Sequence, residues 1–150
     1  MIEINVEEET TVNLRGCSQE AIDSLGRIDA LKVNGHLSLY DCKGLTKLSG
    51  GLRVNGDLDI SGRKGLKKLP VYLMVNGYLN LVGCTGLTEL PDDLMVGYLF
   101  LYGCSGITKL PDDLHVGETI YYNGLTGFYG HEHVPGVIPD RLKHKLKKYK

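Results

Sequence analysis

Tryptophan is missing from this chain of 150 residues and phenylalanine occurs only twice, which excludes a core built around large aromatic rings. Twenty glycines point instead to many tight turns around small aliphatic side chains. Charge has almost no surplus of either sign: 17 basic and 18 acidic residues leave a net charge of -1. No overall field therefore draws the chain to nucleic acid or to an anionic membrane, and an electrostatic partner must read a local patch. No apolar run approaches the roughly 18 residues of a membrane span. The opening stretch "MIEINVEEETTVNLRG" has neither the basic region nor the apolar run of an export signal, so the expected location is cytoplasmic. Also missing are the G-x-S-x-G elbow, the P-loop and the dinucleotide fingerprint. What remains is a globular balance, 42% hydrophobic and 23% charged, with the length of one domain spanning 1–150.

The chain does contain repetition. "LTELPDDL", beginning at Leu87, returns twenty residues later as "ITKLPDDL", beginning at Ile107, and periods of this length mark solenoids. With Leu99 and Leu101 of "YLFLYGC" as a reference pair facing inward, the equivalents are Val12/Leu14, Leu37/Leu39, Leu58/Ile60, Leu79/Leu81 and Thr119/Tyr121. Six coils are implied. A second apolar pair precedes the first, at Leu31/Val33, Leu52/Val54, Leu73/Val75, Leu94/Val96 and Leu114/Val116. Both pairs have the period of two that belongs to strands. Between them lies Asn-Gly or Gly, at Gly35, Gly56, Gly77, Gly97 and Gly117, where a positive φ is expected to turn the chain. A single coil cannot bury its leucines. Stacking coils about 4.8 Å apart pairs their backbones and joins the leucines into ladders.

The run L-x-L-x-G-C-x-G-L-T-x-L-P-D-D-L resembles a leucine-rich repeat of the short bacterial type, similar to those of bacterial effectors and of repeat proteins in phage and prophage genomes. The resemblance covers Val12 to Gly124, with Leu99, Leu101, Cys104, Ile107 and Leu110 on the signature positions. Gly106 and the Asn-Gly turn depart from the usual spacing. The resemblance implies a mostly β, right-handed leucine-rich-repeat solenoid of about six coils with short parallel strands. It also implies a non-enzymatic protein-binding role, that of a phage or bacterial accessory protein inhibiting a host or defence protein, in the cytoplasm of a bacterial or phage-infected cell. Related effectors that transfer ubiquitin do so with a separate catalytic domain, for which this chain has no room.

Residues 1–11 alternate as an edge strand blunted by charge, residues 12–124 hold the repeats, and residues 125–150 supply a loop and a capping helix. In that helix Ile138, Leu142, Leu146 and Tyr149 fall at helical spacing. Its basic residues, Arg141, Lys143, Lys145, Lys147, Lys148 and Lys150, also offer an alternative function, nucleic-acid binding, placed second to protein binding. Cys17, Cys42, Cys84 and Cys104 share one slot in successive coils. They form a buried thiol ladder, the alternative being disulfides Cys17–Cys42 and Cys84–Cys104 between adjacent coils. Arg63 fills the slot in the third coil and is expected to open that turn outward, since an unpaired guanidinium is not buried. His131, Glu132 and His133 place two imidazoles on one side of a strand but lack further ligands, so no metal and no cofactor is assigned.

The outward positions change character along the chain. Asn13, Ser38 and Asp59 give way to tyrosines and apolar residues. Tyr78, Tyr98, Phe100, Tyr102, Ile120 and Tyr122 are expected to gather on one exposed sheet face, the kind of patch that protein interfaces select. The protein is then a monomer, or a homodimer through that face, unless the segment from Leu125 to Val137 covers it.

Overall fold

The structure is a computed structural model that describes residues 2–4, 10–26, 31–48, 50–123 and 138–148. It is a mostly β solenoid of about five turns, whose strands form one parallel sheet of two merged ladders. The first ladder runs through β1 (Ile2–Ile4), β3 (Leu31–Val33), β5 (Arg53–Val54), β7 (Met74–Asn80), β8 (Met95–Tyr102) and β9 (His115–Val116). The second runs through β2 (Thr11–Asn13), β4 (His36–Ser38), β6 (Leu58–Asp59), β7, β8, β10 (Ile120–Asn123) and β11 (Leu146–Lys148). β7 and β8 are continuous across the corner that separates the two ladders elsewhere. Six coils were implied by the repeat, against about five turns among the described residues; the last of them contributes β9 and β10, and residues 124–137 lie outside the described residues.

Both apolar pairs face inward as their alternation predicts. Leu37, Leu58, Leu79 and Leu99 stack with Leu39, Ile60, Leu81 and Leu101, while Leu45, Leu66, Leu87 and Ile107 close the opposite side. Each such side chain stabilises by about 1.5–3 kcal/mol through burial, but only because a neighbouring turn covers it.

The glycines between the pairs serve a purpose other than the expected one. Positive φ occurs at Gly16, Gly62, Gly83 and Gly103, each just before the cysteine slot, and not at Gly35, Gly56, Gly77, Gly97 or Gly117. At the corner the backbones approach closely. The amide of Gly77 donates to Gly56 O at 3.0 Å, and a Cβ on Gly77 would lie 2.9 Å from that same carbonyl oxygen. Glycine is required there by proximity rather than by φ.

The wide first coil contains a helix that the repeat pattern does not predict, α1 (Gln19–Gly26). Ser18 Oγ accepts the Ala21 amide at 3.3 Å as an N-cap. Gln19 Oε1 accepts the Thr46 amide at 2.6 Å, tying the helix to the second turn.

The C-terminal helix is much shorter than expected. α2 covers only Asp140–Lys143, and Leu146, assigned to that helix by its spacing, instead lies in β11 opposite Ile120. An open ladder edge presents unpaired backbone groups, so the chain gains more from one further rung than from a longer helix. Tyr149 lies outside the described residues.

All four cysteines are free thiols. Cys42 Sγ donates to Leu14 O at 3.0 Å, Cys84 Sγ to Ile60 O at 3.2 Å and Cys104 Sγ to Leu81 O at 2.9 Å. Each reaches the turn before it. Burial pushes all three thiols up, Cys104 to about 12. Arg63 does not open its turn: Leu66 N donates to Arg63 O at 3.2 Å, matching Leu87 N to Cys84 O at 3.1 Å. Only the side chain differs, its Nε donating to Ser61 O at 3.0 Å.

Candidate functional site

Four turns end their second strand with the same local device. Asn13 Oδ1 accepts the Arg15 amide at 2.9 Å, Ser38 Oγ the Tyr40 amide at 3.5 Å, Asp59 Oδ1 the Ser61 amide at 2.9 Å and Asn80 Oδ1 the Val82 amide at 3.1 Å. Short polar side chains that bond the backbone two residues on are turn formers. The polar half of the outer face therefore serves the fold.

Phe100 follows in that column and Tyr121 follows Phe100. In these turns the strands run on, β8 to Tyr102 and β10 to Asn123, and the rings pack on each other. Phe100 and Tyr121 are stacked at 4.7 Å between centroids with planes 13° apart. Tyr78 and Tyr102 meet Phe100 edge-on at 5.7 and 6.1 Å. Pairs of this kind contribute about 0.5–1.5 kcal/mol each beyond burial, so the cluster is a fixed surface. Tyr78 and Tyr98 remain 40% exposed.

Two residues expected on this face are elsewhere. Ile120 is opposite Leu99 and fully buried, and Tyr122 is opposite Leu101 and packs on the core. The equal twenty-residue spacing suggests Thr119 and Tyr121 as the inward pair. However, Val116 is four residues before its inward partner where Val96 is three, and the extra residue shifts the register by one. The shift puts isoleucine in the core and leaves the Tyr121 ring outside. Tyr78, Tyr98, Phe100 and Tyr102 lie on the face as expected, joined by Tyr121.

Met74 and Met95 were missed. They occupy the outward row of the first ladder after Lys32 and Arg53, in register with them and with each other, and Met95 is 46% exposed. Because β7 and β8 run through the corner, Met74 and Tyr78 belong to one strand, as do Met95, Tyr98 and Phe100. The apolar band thus crosses both ladders. Reading out the first pair's outward column would have found it.

A third feature lies at the proline corner. Where two turns have Pro-Asp-Asp, one has Pro70-Val71-Tyr72, with Val71 58% and Tyr72 66% exposed. Tyr72 adopts φ 58°, a left-handed conformation that costs a bulky residue about 1–2 kcal/mol. The Asp93 carboxylate of the next turn holds it by accepting the Tyr72 amide at 3.0 Å.

Beside the aromatic cluster, Asp57 and Asp59 project from the turn before Tyr78. Asp57 Oδ1 accepts the Tyr78 amide at 2.9 Å. Asp57 Oδ2 lies 2.9 Å from His36 Nδ1, an ion-pair distance if that nitrogen carries a proton. The Asp57 amide also donates to the same Nδ1 at 3.0 Å. One nitrogen cannot accept the amide and donate to the carboxylate at once. The two contacts therefore belong to alternative protonation states of one imidazole, the carboxylate contact to Nδ1–H and the amide contact to a bare Nδ1. Burial, together with the Asp57 and Asp59 charges, pushes the Tyr78 phenol up.

The basic residues of the C-terminal segment are placed differently from one another. Arg141 Nη1 donates to Leu114 O at 2.9 Å and Nη2 to Asp112 O, and Lys145 Nζ donates to Gly117 O at 2.7 Å. Lys143 pairs with Asp140, and Lys147 Nζ lies 5.7 Å from the centre of the Tyr121 ring. The Lys148 backbone pairs with Tyr122. Its side chain, Lys150, the His131–Glu132–His133 stretch and the segment from Leu125 to Val137 lie outside the described residues. Among the described residues no three His, Cys, Asp or Glu are grouped to hold a metal ion, and no helix is long and apolar enough to cross a membrane. Comparison with known protein families, with curated proteins and with solved structures returns no match.

Proposed function

We propose that the protein is a non-enzymatic interaction module, a small leucine-rich-repeat solenoid that offers the aromatic face of its last turns to a protein partner. One observation carries this reading. In the column where four turns keep a short polar turn former, the following two carry Phe100 and Tyr121, stacked at 4.7 Å beside Tyr78 and Tyr102. The fold has no need of rings there, and tyrosine-rich patches on rigid elements suit protein recognition. The repeat motif and the two-ladder coil support the leucine-rich-repeat assignment. The resemblance extends the proposal to an accessory protein that binds and inhibits a host or defence protein.

The test is capture of a partner by the immobilised protein from a bacterial extract, with Tyr98→Ala/Phe100→Ala beside it and Lys68→Ala/Glu89→Ala as a control. Lys68 and Glu89 form an exposed ion pair at 2.7 Å, remote from the face. Loss of a partner with the face variant alone is expected. Equal capture by all three proteins would reject the face.

A further inference from the structure

Asp59 raises a question that the fold does not answer. Its Oδ1 closes the turn at Ser61, but Asn13, Ser38 and Asn80 do the same in their own turns without charge. The turn needs an acceptor. A carboxylate there adds a negative charge that the other three turns do without, two residues from a second carboxylate, Asp57, across the buried Leu58. The two acids line a notch with His36, Ser38 and Tyr78. Asp57 Oδ2, 2.9 Å from His36 Nδ1, is part of that lining, and a carboxylate oxygen can accept from a further donor.

The same face shows what its rings accept. Arg15 lies 4.8 Å from the centre of the Tyr40 ring, and Lys147 lies over Tyr121 at the other end. Tyr78 and Tyr98, between those ends, are 40% exposed, and Tyr78 adjoins the two acids. A cation on an aromatic face beside a carboxylate is favoured twice, by the ring quadrupole and by charge. A guanidinium fits better than an ammonium, since it can stack on a ring and still bond in its own plane.

Resting on the reading of this face as a protein-binding surface, we infer that its occupant is an extended, arginine-bearing segment of another protein. The arginine enters the notch of Asp57, Asp59 and Tyr78, and apolar side chains of the segment lie on Tyr98 and Phe100. The dimensions agree. The notch and Phe100 are two turns apart, about 10 Å at strand spacing, and alternate residues of an extended segment are about 7 Å apart, a difference that the length of an arginine side chain covers.

The probe is a seven-residue peptide, Ser-Arg-Ser-Leu-Ser-Leu-Ser with blocked ends, together with its counterpart carrying glutamine for arginine. Both are titrated into labelled protein and followed by backbone amide shifts. The arginine peptide is expected to shift the amides of Asp59, Tyr78 and Tyr98 and to bind at least five-fold more tightly than the glutamine peptide. Asp59→Asn, which keeps the turn acceptor, is expected to reduce that preference to less than two-fold. Equal binding of the two peptides, abolished by Tyr98→Ala/Phe100→Ala, would overturn the arginine inference and leave the face reading intact. No shift on the face with either peptide would also overturn it, while partner capture still decides the face. A dimer in light scattering that the double alanine variant dissolves would make a second copy the occupant and reject the inference.

Discussion

Cys104 offers a quantitative test of the thiol ladder. Its side chain is fully buried and donates to Leu81 O at 2.9 Å, and burial pushes its titration up to about 12. In the unfolded chain the thiol ionises at about 8.5. An acid with a raised folded value favours the folded state fully below the unfolded value, and that stability is lost as pH rises, because the unfolded chain releases its proton first. The loss is about 1.4 kcal/mol per pH unit above 8.5, or about 2 kcal/mol between pH 7 and pH 10. The perturbation is Cys104→Ser, which retains a hydrogen-bond donor but does not titrate in this range. Urea unfolding followed by circular dichroism, at constant ionic strength and with reductant, gives both stabilities at each pH. Serine is expected to be the less stable at pH 7, with the gap closing by about 2 kcal/mol at pH 10. Parallel pH curves would refute a protonated, buried thiol. Wild-type stability that rises on removing the reductant would restore the disulfide pairing of Cys17 with Cys42 and Cys84 with Cys104.

Backbone strain gives a second pair of variants: Asp41 and Tyr72 adopt φ of 59° and 58°, so Asp41→Gly and Tyr72→Gly should each stabilise the fold by about 0.5–1 kcal/mol, read as a raised urea midpoint, and a lowered midpoint would mean that side-chain contacts outweigh the strain. Gly77→Ala should cost about 1–3 kcal/mol, because its Cβ would press on the Gly56 backbone, whereas Gly117→Ala, with nothing nearer than 3.6 Å, should leave the thermal midpoint nearly unchanged. Equal effects would remove close approach as the reason for glycine at the corner. Arg141→Met removes two hydrogen bonds to the carbonyls of the last turn and should lower stability by about 1 kcal/mol, read by hydrogen exchange at Val116 and Ile120; unchanged exchange there would show that the arginine does not hold the end of the ladder.

The ladders were legible in the sequence because every turn must offer the same apolar rung, and residues such as Leu79 and Leu99 have no other way to be buried. The two ends were not. At the N-terminal end α1 depends on Ser18 and Gln19 making contacts that a twenty-residue period does not encode. At the other end Leu146 suits a helix by spacing and a strand by edge pairing, and the open edge decides. The outer face was legible at Tyr78, Tyr98, Phe100 and Tyr102, where the strand L-x-L pattern itself marks the inward residues and absorbs the register shift between Val75 and Tyr78. It failed at Ile120 and Tyr122, because one residue added before the strand exchanges its two faces. Met74 and Met95 were readable from Lys32 and Arg53, had the same column been compared.

The position of the apolar band along the solenoid bears on how it would bind. It does not begin in the wide first coil, which contains a helix, but in the turns where β7 and β8 each run through the corner as one strand. Those two strands pair along both ladders, so Met74, Tyr78, Met95, Tyr98 and Phe100 share one hydrogen-bonded support. A backbone held this way is ordered before a partner arrives, and affinity gains from such preorganisation without added area. Strands β2, β4, β6 and β7 end at the polar turn formers Asn13, Ser38, Asp59 and Asn80, whereas β8 and β10 run two residues past Phe100 and Tyr121, so that position supplies the ring where the strand continues. In those two consecutive turns the support and the surface therefore change at one position, with Tyr78 and Tyr102 packed on Phe100 beside it.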